Sequence, residues 1–200
     1  YELTVIIQDG VKRMYADKEN CFYYLTTMNE NYVQPAMPEG VEEGIIKGIY
    51  PFSKGADAKL KVQLMGSGTI LNEVREAATI LRESFGIESD IWSLTSVNEL
   101  TRDGQAVDRW NLLHPESAPK KAYITEQLEG SAGPVIIATD YMKNYAEQLR
   151  KYIERPLYVL GTDGFGRSDS RAALRKFFEV DRHFVVLAAL KVLADEGKIK

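Results

Sequence analysis

The sequence has few of the residues that most often carry catalysis or covalent stability: its 200 residues include one cysteine and two histidines. The single Cys21 excludes an internal disulfide. A chain of this length does not need one, because it can remove roughly 70% of its unfolded surface from water. Asn-x-Ser/Thr glycosylation signals are also absent from the sequence. Together these absences favour a reducing, cytoplasmic setting over a secreted one.

The sequence also lacks an excess of positive charge and a long apolar run. Its 25 lysines and arginines stand against 29 aspartates and glutamates, for a net charge of -4. This balance argues against nucleic acid as a partner, since no basic surface dominates. No apolar run approaches the roughly 20 residues that span a bilayer, and the N-terminus does not have the basic-then-apolar order of a signal peptide. What remains is the composition of an ordinary folded domain, with 44% hydrophobic and 27% charged residues.

The first 40 residues indicate an incomplete domain. Apolar residues at three-to-four spacing predict an amphipathic helix over 2–16, and the aromatic and β-branched residues of Cys21–Thr27 predict a strand. The prolines and asparagines of residues 29–40 predict a loop. One helix and one strand have nothing to pair with, and the chain begins with Tyr1 rather than Met. We therefore expect residues 1–40 to be the end of a preceding domain.

From residue 41 to residue 200 the signals alternate between short strands and helices, which is typical of βαβ units. Val135–Ala138 and Leu157–Leu160 are continuous apolar runs, as expected of strands that helices cover on both faces. The pattern predicts a three-layer α/β domain. The predicted strands are 44–52, 61–66, 90–95, 134–138 and 157–160. The predicted helices are 69–85, 97–112, 120–128, 140–153, 168–178 and 181–196.

Gly66-Ser67-Gly68 follows a predicted strand and opens a helix. The amides at such a helix N-terminus can bind an anion. The glycine spacing of the dinucleotide and P-loop motifs is not met, so we interpret these residues as a tight turn capped by Ser67 or Thr69. A phosphate site is the alternative interpretation.

The histidines and the cysteine are interpreted as structural. His114 precedes Pro115 at the end of a helix, where a histidine interacts with the helix dipole. His183 lacks the spacing of a zinc motif. Cys21 has no nearby histidine and lies in the predicted strand, where a buried, unreactive thiol is expected.

The most unusual stretch is Gly161–Arg171, which follows a strand at the edge where open α/β sheets bind ligands. One interpretation is an anion or partner site that uses Arg167, Ser168 and Arg171. The structural interpretation, which we favour on physical grounds, is a tight turn with Phe165 packed beneath it and Ser168 as the helix N-cap.

The last helix is apolar nearly all round for two turns, so it is expected to be buried on more than one side. We predict a subunit interface there that includes Phe184, Leu187 and Leu190. The alternative is a helix wedged between the sheet and residues 2–40.

Four stretches carry a more specific signal. They are Thr26–Tyr32, Pro35–Gly40, Arg102–Gln105 with Arg109–Pro115, and Gly161–Arg171 followed by Phe178–Asp181. In this order and spacing the sequence closely resembles the C-terminal part of the homodimeric, bacterial type of the decarboxylating first component of the pyruvate dehydrogenase complex. That family belongs to the transketolase superfamily.

The resemblance implies a transketolase C-terminal-like domain over 41–200 with a mostly parallel five-stranded sheet, and it assigns residues 1–40 to the end of the pyrimidine-binding domain. It further implies a thiamine diphosphate- and magnesium-dependent enzyme. That enzyme decarboxylates pyruvate and passes the acetyl unit to lipoyl groups on the dihydrolipoyl acetyltransferase component.

The family's cofactor ligands and catalytic residues have no matching position in this sequence. We therefore expect no catalytic, cofactor-binding or metal-binding residue here, and we expect a local role in structure and in support of the dimer. A free-standing α/β module that binds an anion or a partner is the alternative.

Overall fold

Five strands form one sheet in the computed structural model, which describes every residue from Tyr1 to Lys200. The strands are β1 (Ile49–Ser53), β2 (Lys61–Ser67), β3 (Glu88–Leu94), β4 (Val135–Ala138) and β5 (Leu157–Leu160). The helices are α1 (Glu2–Val11), α2 (Glu42–Lys47), α3 (Ile70–Phe85), α4 (Val97–Leu113), α5 (Tyr123–Gln127), α6 (Lys143–Glu147), α7 (Arg171–Phe177) and α8 (Arg182–Asp195). A π-helical turn, Lys12–Ala16, extends α1, and a 3-10 turn, Arg150–Tyr152, follows α6.

The strand order is β1-β3-β2-β4-β5, and only β1 runs antiparallel to its neighbour. Successive residues of one strand face opposite sides of the sheet, so Val135 and Ile137 join one core while Ile136 and Ala138 join the other. The first core packs under α4, α5 and α6, and the second under α3 and α8. The prediction of a three-layer α/β domain with a mostly parallel five-stranded sheet is confirmed.

The topology leaves one opening at the carboxyl edge of the sheet. The chain leaves β2 through α3, which covers one face, and returns to β3, which lies beside β2 on the side away from β4. It leaves β4 through α6, which covers the opposite face, and returns to the outer strand β5, on the side of β4 away from β2. Because the two connections diverge, a crevice forms between the ends of β2 and β4, the place where sheets of this type bind ligands.

One of the predicted strands is wrong, and another begins too early in the sequence. Cys21–Thr27 forms no strand, because no other segment pairs with it, and its aromatic rings Phe22 and Tyr24 are exposed. The range 44–52 begins as helix α2 and becomes strand only at Ile49, because Gly48 ends the helix with a left-handed φ of 106°.

Three of the predicted helices are shorter than expected. The helix predicted over 120–128 covers only Tyr123–Gln127. The helix predicted over 140–153 breaks into α6 and a separate 3-10 turn. The helix predicted over 168–178 begins only at Arg171, because Ser170 is its N-cap.

Candidate functional site

A cavity of about 640 Å³ lies at the crevice between β2 and β4. Its floor includes Ser67, Gly68 and Thr69 after β2 and Asp140 after β4. Its roof comes from the start of α1 and from residues 24–35. The cavity therefore lies between the N-terminal 40 residues and the α/β domain.

Residues 21–40, which we call the crossing segment, contain no helix or strand and run along the carboxyl edge of the sheet. Side chains hold the segment in place there. Thr26 shares a hydrogen bond of 2.7 Å with the Tyr141 hydroxyl, and the Thr69 hydroxyl contacts the sulfur of Met28. Arg171 donates a hydrogen bond to Asn29.

The strongest anchor of the crossing segment is a chain of ion pairs that continues into the α/β domain. Glu30 lies 2.5 Å from Arg175, which lies 3.3 Å from Glu73. Arg182 closes the chain at 2.9 Å from the other oxygen of Glu73. Burial alone would raise the pKa of Glu73, but the hydrogen bonds and positive charges of Arg182 and Arg175 outweigh it and lower that pKa.

Asp140 differs from the other acidic residues of the cavity because its side chain has no partner. Its Oδ2 atom is buried without a hydrogen bond. Burial raises the pKa of Asp140, and the charge of Arg175 opposes this rise only in part. A carboxylate that is removed from water and left unpaired is costly, so this position is a candidate for recognition of a ligand.

The Gly66–Gly68 turn is tight and Thr69 is its N-cap residue, as predicted, but no side chain caps the helix. A Cβ on Gly66 would lie 2.6 Å from the Cα of Leu71, so the strand and the helix approach closely at this glycine. Thr69 occupies the N-cap position without a side-chain cap bond. Its hydroxyl instead contacts Met28 and accepts a hydrogen bond from Arg175.

The structure corrects two details of the Gly161–Arg171 stretch. Phe165 does not pack beneath the turn but is 95% exposed, because Gly164 turns the backbone outward with a left-handed φ of 79°. Ser168 is not the helix N-cap, since Ser170 accepts the bond from the Ala173 amide.

The three residues of the expected anion or partner contact have different environments. Arg171 is engaged by Asn29 and by Glu30 at 3.6 Å. Arg167 lies over the ring of Phe177, and Ser168 is exposed. The geometry therefore leaves Arg167 and Ser168 on the surface and directs Arg171 toward the crossing segment.

The histidines have local roles. His114 shares a hydrogen bond of 2.7 Å with the Trp110 carbonyl and stacks on the Trp110 ring. His183 is exposed and lies 3.7 Å from Asp181, which caps α8. Cys21 is half-buried in the crossing segment, not buried in a strand as expected. Residues 1–200 contain no group of three or more His, Cys, Asp or Glu side chains that could hold a metal ion.

Helix α8 packs against α3, β4 and β5. Of the three predicted interface residues, Leu187 is 58% exposed, while Phe184 and Leu190 are half-buried against the core. None of the helices is long and apolar enough to cross a membrane.

Comparison with family models identifies the class to which this fold belongs. Residues 48–181 match the model described as the transketolase-like TK C-terminal domain, and the chain belongs to this family. Residues 1–35 match the pyruvate dehydrogenase E1 component middle domain.

The curated relatives that match the chain share one protein name. The chain is 61% identical over 202 residues to the pyruvate dehydrogenase E1 component of Pseudomonas aeruginosa. It is 55% and 56% identical to the components of the same name from Cupriavidus necator and Escherichia coli K12. Each match covers 100% of this chain but only 22 or 23% of the relative, so the chain spans less than a quarter of their length. The predicted resemblance is confirmed.

Solved structures agree on the fold. A transketolase from Pichia stipitis aligns with a TM-score of 0.52 at 19% identity, covering 78% of this chain and 19% of that one. A split-gene transketolase aligns with a TM-score of 0.50, covering 74% and 43% of the two chains. At this identity the likeness concerns the fold alone.

Proposed function

We propose that this chain is the C-terminal part of a pyruvate dehydrogenase E1 component. The observation that carries the proposal is the 61% identity to the P. aeruginosa E1 component along the whole chain. The two family matches support a domain boundary near residue 40, with residues 1–40 at the end of the middle, pyrimidine-binding domain and 41–200 as the C-terminal domain.

In the complete protein, the proposed reaction decarboxylates pyruvate and transfers the acetyl unit to a lipoyl group of the dihydrolipoyl acetyltransferase component. The proposed cofactors are thiamine diphosphate and magnesium, and the proposed form is a cytoplasmic homodimer. Thiamine diphosphate supplies the electron sink for loss of CO2.

The residues present do not fit this cofactor pair. Residues 1–200 offer no cluster of metal-ligating side chains, and the Gly66–Gly68 turn does not have the spacing of a phosphate loop. The role we propose for the chain itself is structural. It packs on the rest of the pyrimidine-binding domain through the crossing segment and supports the dimer.

Two measurements test this proposal. The complete protein, supplied with thiamine diphosphate and magnesium, should release CO2 from pyruvate and acetylate lipoyl groups, whereas the 200-residue chain should do neither. Calorimetry of the 200-residue chain with thiamine diphosphate and magnesium should detect no micromolar binding. A complete protein without the decarboxylase activity would refute the function, and tight cofactor binding by the short chain would refute the placement of the site.

The proposed dimer interface at α8 has its own test. Leu187→Asp places a charge on an exposed apolar position of that helix. If Leu187 is covered by a second subunit, sedimentation of the complete protein should show a lighter species, because burying an unpaired charge is costly. Leu112→Asp, on an exposed position of α4, is the matched control and should leave the mass unchanged. A monomeric parent, or a variant of unchanged mass, would contradict the interface.

A further inference from the structure

The crevice between the ends of β2 and β4 combines the opening left by the topology, a cavity of about 640 Å³ and one unpaired carboxylate. We propose that this cavity binds a small organic molecule that carries a protonated amine, with the Asp140 carboxylate as the partner of the ammonium group. The proposal concerns a site of the C-terminal domain and does not depend on the reaction proposed for the complete protein.

Asp140 is the acidic residue of the lining that remains available. Glu2 accepts hydrogen bonds from Tyr50 at 2.7 Å and from Ser93 at 2.6 Å. Glu30 is paired with Arg175 at 2.5 Å. Neither oxygen of Asp140 takes part in a hydrogen bond or an ion pair, and its Oδ2 atom is removed from solvent. A donor that enters the cavity therefore finds an unsatisfied, buried acceptor at Asp140.

The charge of the lining favours a cation over an anion. Its charged members are the carboxylates of Glu2, Glu30 and Asp140 and the guanidinium of Arg75. The Arg75 guanidinium lies 5.2 Å from the centre of the Phe52 ring. Glu30 is already neutralised by Arg175. A phosphate or a carboxylate would meet the unpaired carboxylate of Asp140, whereas an ammonium group would neutralise it.

The aromatic content and the size of the cavity indicate an organic cation. Five tyrosines contribute to the lining, and the faces of such rings attract ammonium groups. They are Tyr1, Tyr24, Tyr32, Tyr141 and Tyr145. The volume of about 640 Å³ lies within the range of small-molecule sites, roughly 300 to 1,000 Å³. A molecule with an apolar body and one ammonium group matches these features.

Calorimetry of the complete protein with 2-phenylethylamine tests the proposal, and 2-phenylethanol serves as the neutral probe of the same shape. The amine should bind, and the alcohol should bind at least about tenfold more weakly because it cannot form the ion pair. Asp140→Asn keeps the shape of the side chain and removes its charge. The affinity of this variant for the amine should fall by about tenfold or more, and its affinity for the alcohol should be unchanged.

Asp57→Asn, at an exposed loop position away from the cavity, is the matched control and should bind the amine like the parent. A thermal melt of each variant shows whether it folds. If Asp140→Asn does not fold, the comparison of the amine with the alcohol on the parent protein still decides the result. The proposal is overturned if the amine does not bind, if the alcohol binds as tightly, or if a folded Asp140→Asn binds the amine as the parent does.

Discussion

Replacing Glu73 by glutamine tests the energetics of the ion pairs that connect α3, α7 and α8. The Glu73 side chain is 8% exposed, and its two oxygens accept three hydrogen bonds from Arg182 and one from Arg175. Glutamine has nearly the same shape but presents an amide nitrogen where the arginines require an acceptor. The substitution therefore leaves two guanidinium groups facing a donor and removes the negative charge between them.

The expected loss in the free energy of unfolding follows from how deeply Glu73 and its two arginine partners are buried. Removing one member of a buried ion pair typically destabilises a protein by about 3 to 5 kcal/mol. The Arg182 side chain is 37% exposed, so water can solvate its guanidinium once the carboxylate is removed. The expected destabilisation therefore lies at the lower end of this range. We expect Glu73→Gln to lower the free energy of unfolding by about 3 kcal/mol, which for a chain of this size corresponds to a fall in Tm of about 6 to 12 °C.

Urea unfolding followed by tryptophan fluorescence measures this cost. Glu76→Gln is the control, because Glu76 is 57% exposed and lies 3.4 Å from the same Arg182. A surface pair of this kind contributes about 0 to 1 kcal/mol. If Glu73→Gln and Glu76→Gln unfolded at the same urea concentration, the assignment of the stability to the buried carboxylate would be refuted.

The pH dependence of unfolding provides a second measurement on the same group. The pKa of Glu73 is lowered in the folded state, so its contribution to stability is present above its unfolded pKa of about 4.3. This contribution is lost as the pH falls through the lower, folded pKa. As the pH falls below about 4.3, the parent should therefore lose more stability than Glu73→Gln. Equal losses would contradict a lowered pKa of Glu73 in the folded state.

Two further predictions concern the core. Gly104→Ala places a Cβ 2.4 Å from the buried ring of Tyr152 and should cost about 2 kcal/mol in urea unfolding, despite the better helix propensity of alanine. Asp90→Asn removes the anion 2.9 Å from Lys61, whose side chain is only 6% exposed, and should cost about 3 kcal/mol. The exposed controls, each expected to change the free energy of unfolding by less than about 0.5 kcal/mol, are Gly166→Ala and Asp57→Asn. If either core variant lowered the free energy of unfolding by no more than its exposed control, the role assigned to that core contact would be wrong.

The sheet could be predicted because its signals are local. Val135–Ala138 and Leu157–Leu160 are apolar on consecutive residues, which is required only where helices cover both faces. The same local reasoning failed for Cys21–Thr27, whose composition is that of a strand but for which the chain supplies no pairing partner. It failed again near Gly48, where the left-handed backbone separates a helix from a strand within one apolar stretch.

The candidate site could not be predicted because its contacts join distant parts of the sequence. Glu30 and Arg175 are 145 residues apart, and Thr26 and Tyr141 are 115 apart. No periodicity relates such pairs. The sequence did direct attention to Gly161–Arg171 after β5 at the carboxyl edge of the sheet, but Asp140 of the cavity follows the neighbouring strand β4. The local sequence feature of this site is a charged residue two positions after the end of the buried strand β4.

The crossing segment links these observations to the behaviour of the cavity. Because it contains no helix or strand, it is held over the cavity by side-chain contacts, chiefly those of Thr26, Met28 and Glu30. These contacts anchor it to Tyr141 and Thr69, which line the cavity, and to Arg175 of α7. A change that weakens them should therefore release the roof of the cavity while the sheet, which is stabilised by two buried cores, remains folded. It follows that the state of the cavity and the position of the crossing segment are coupled through the same few side-chain contacts.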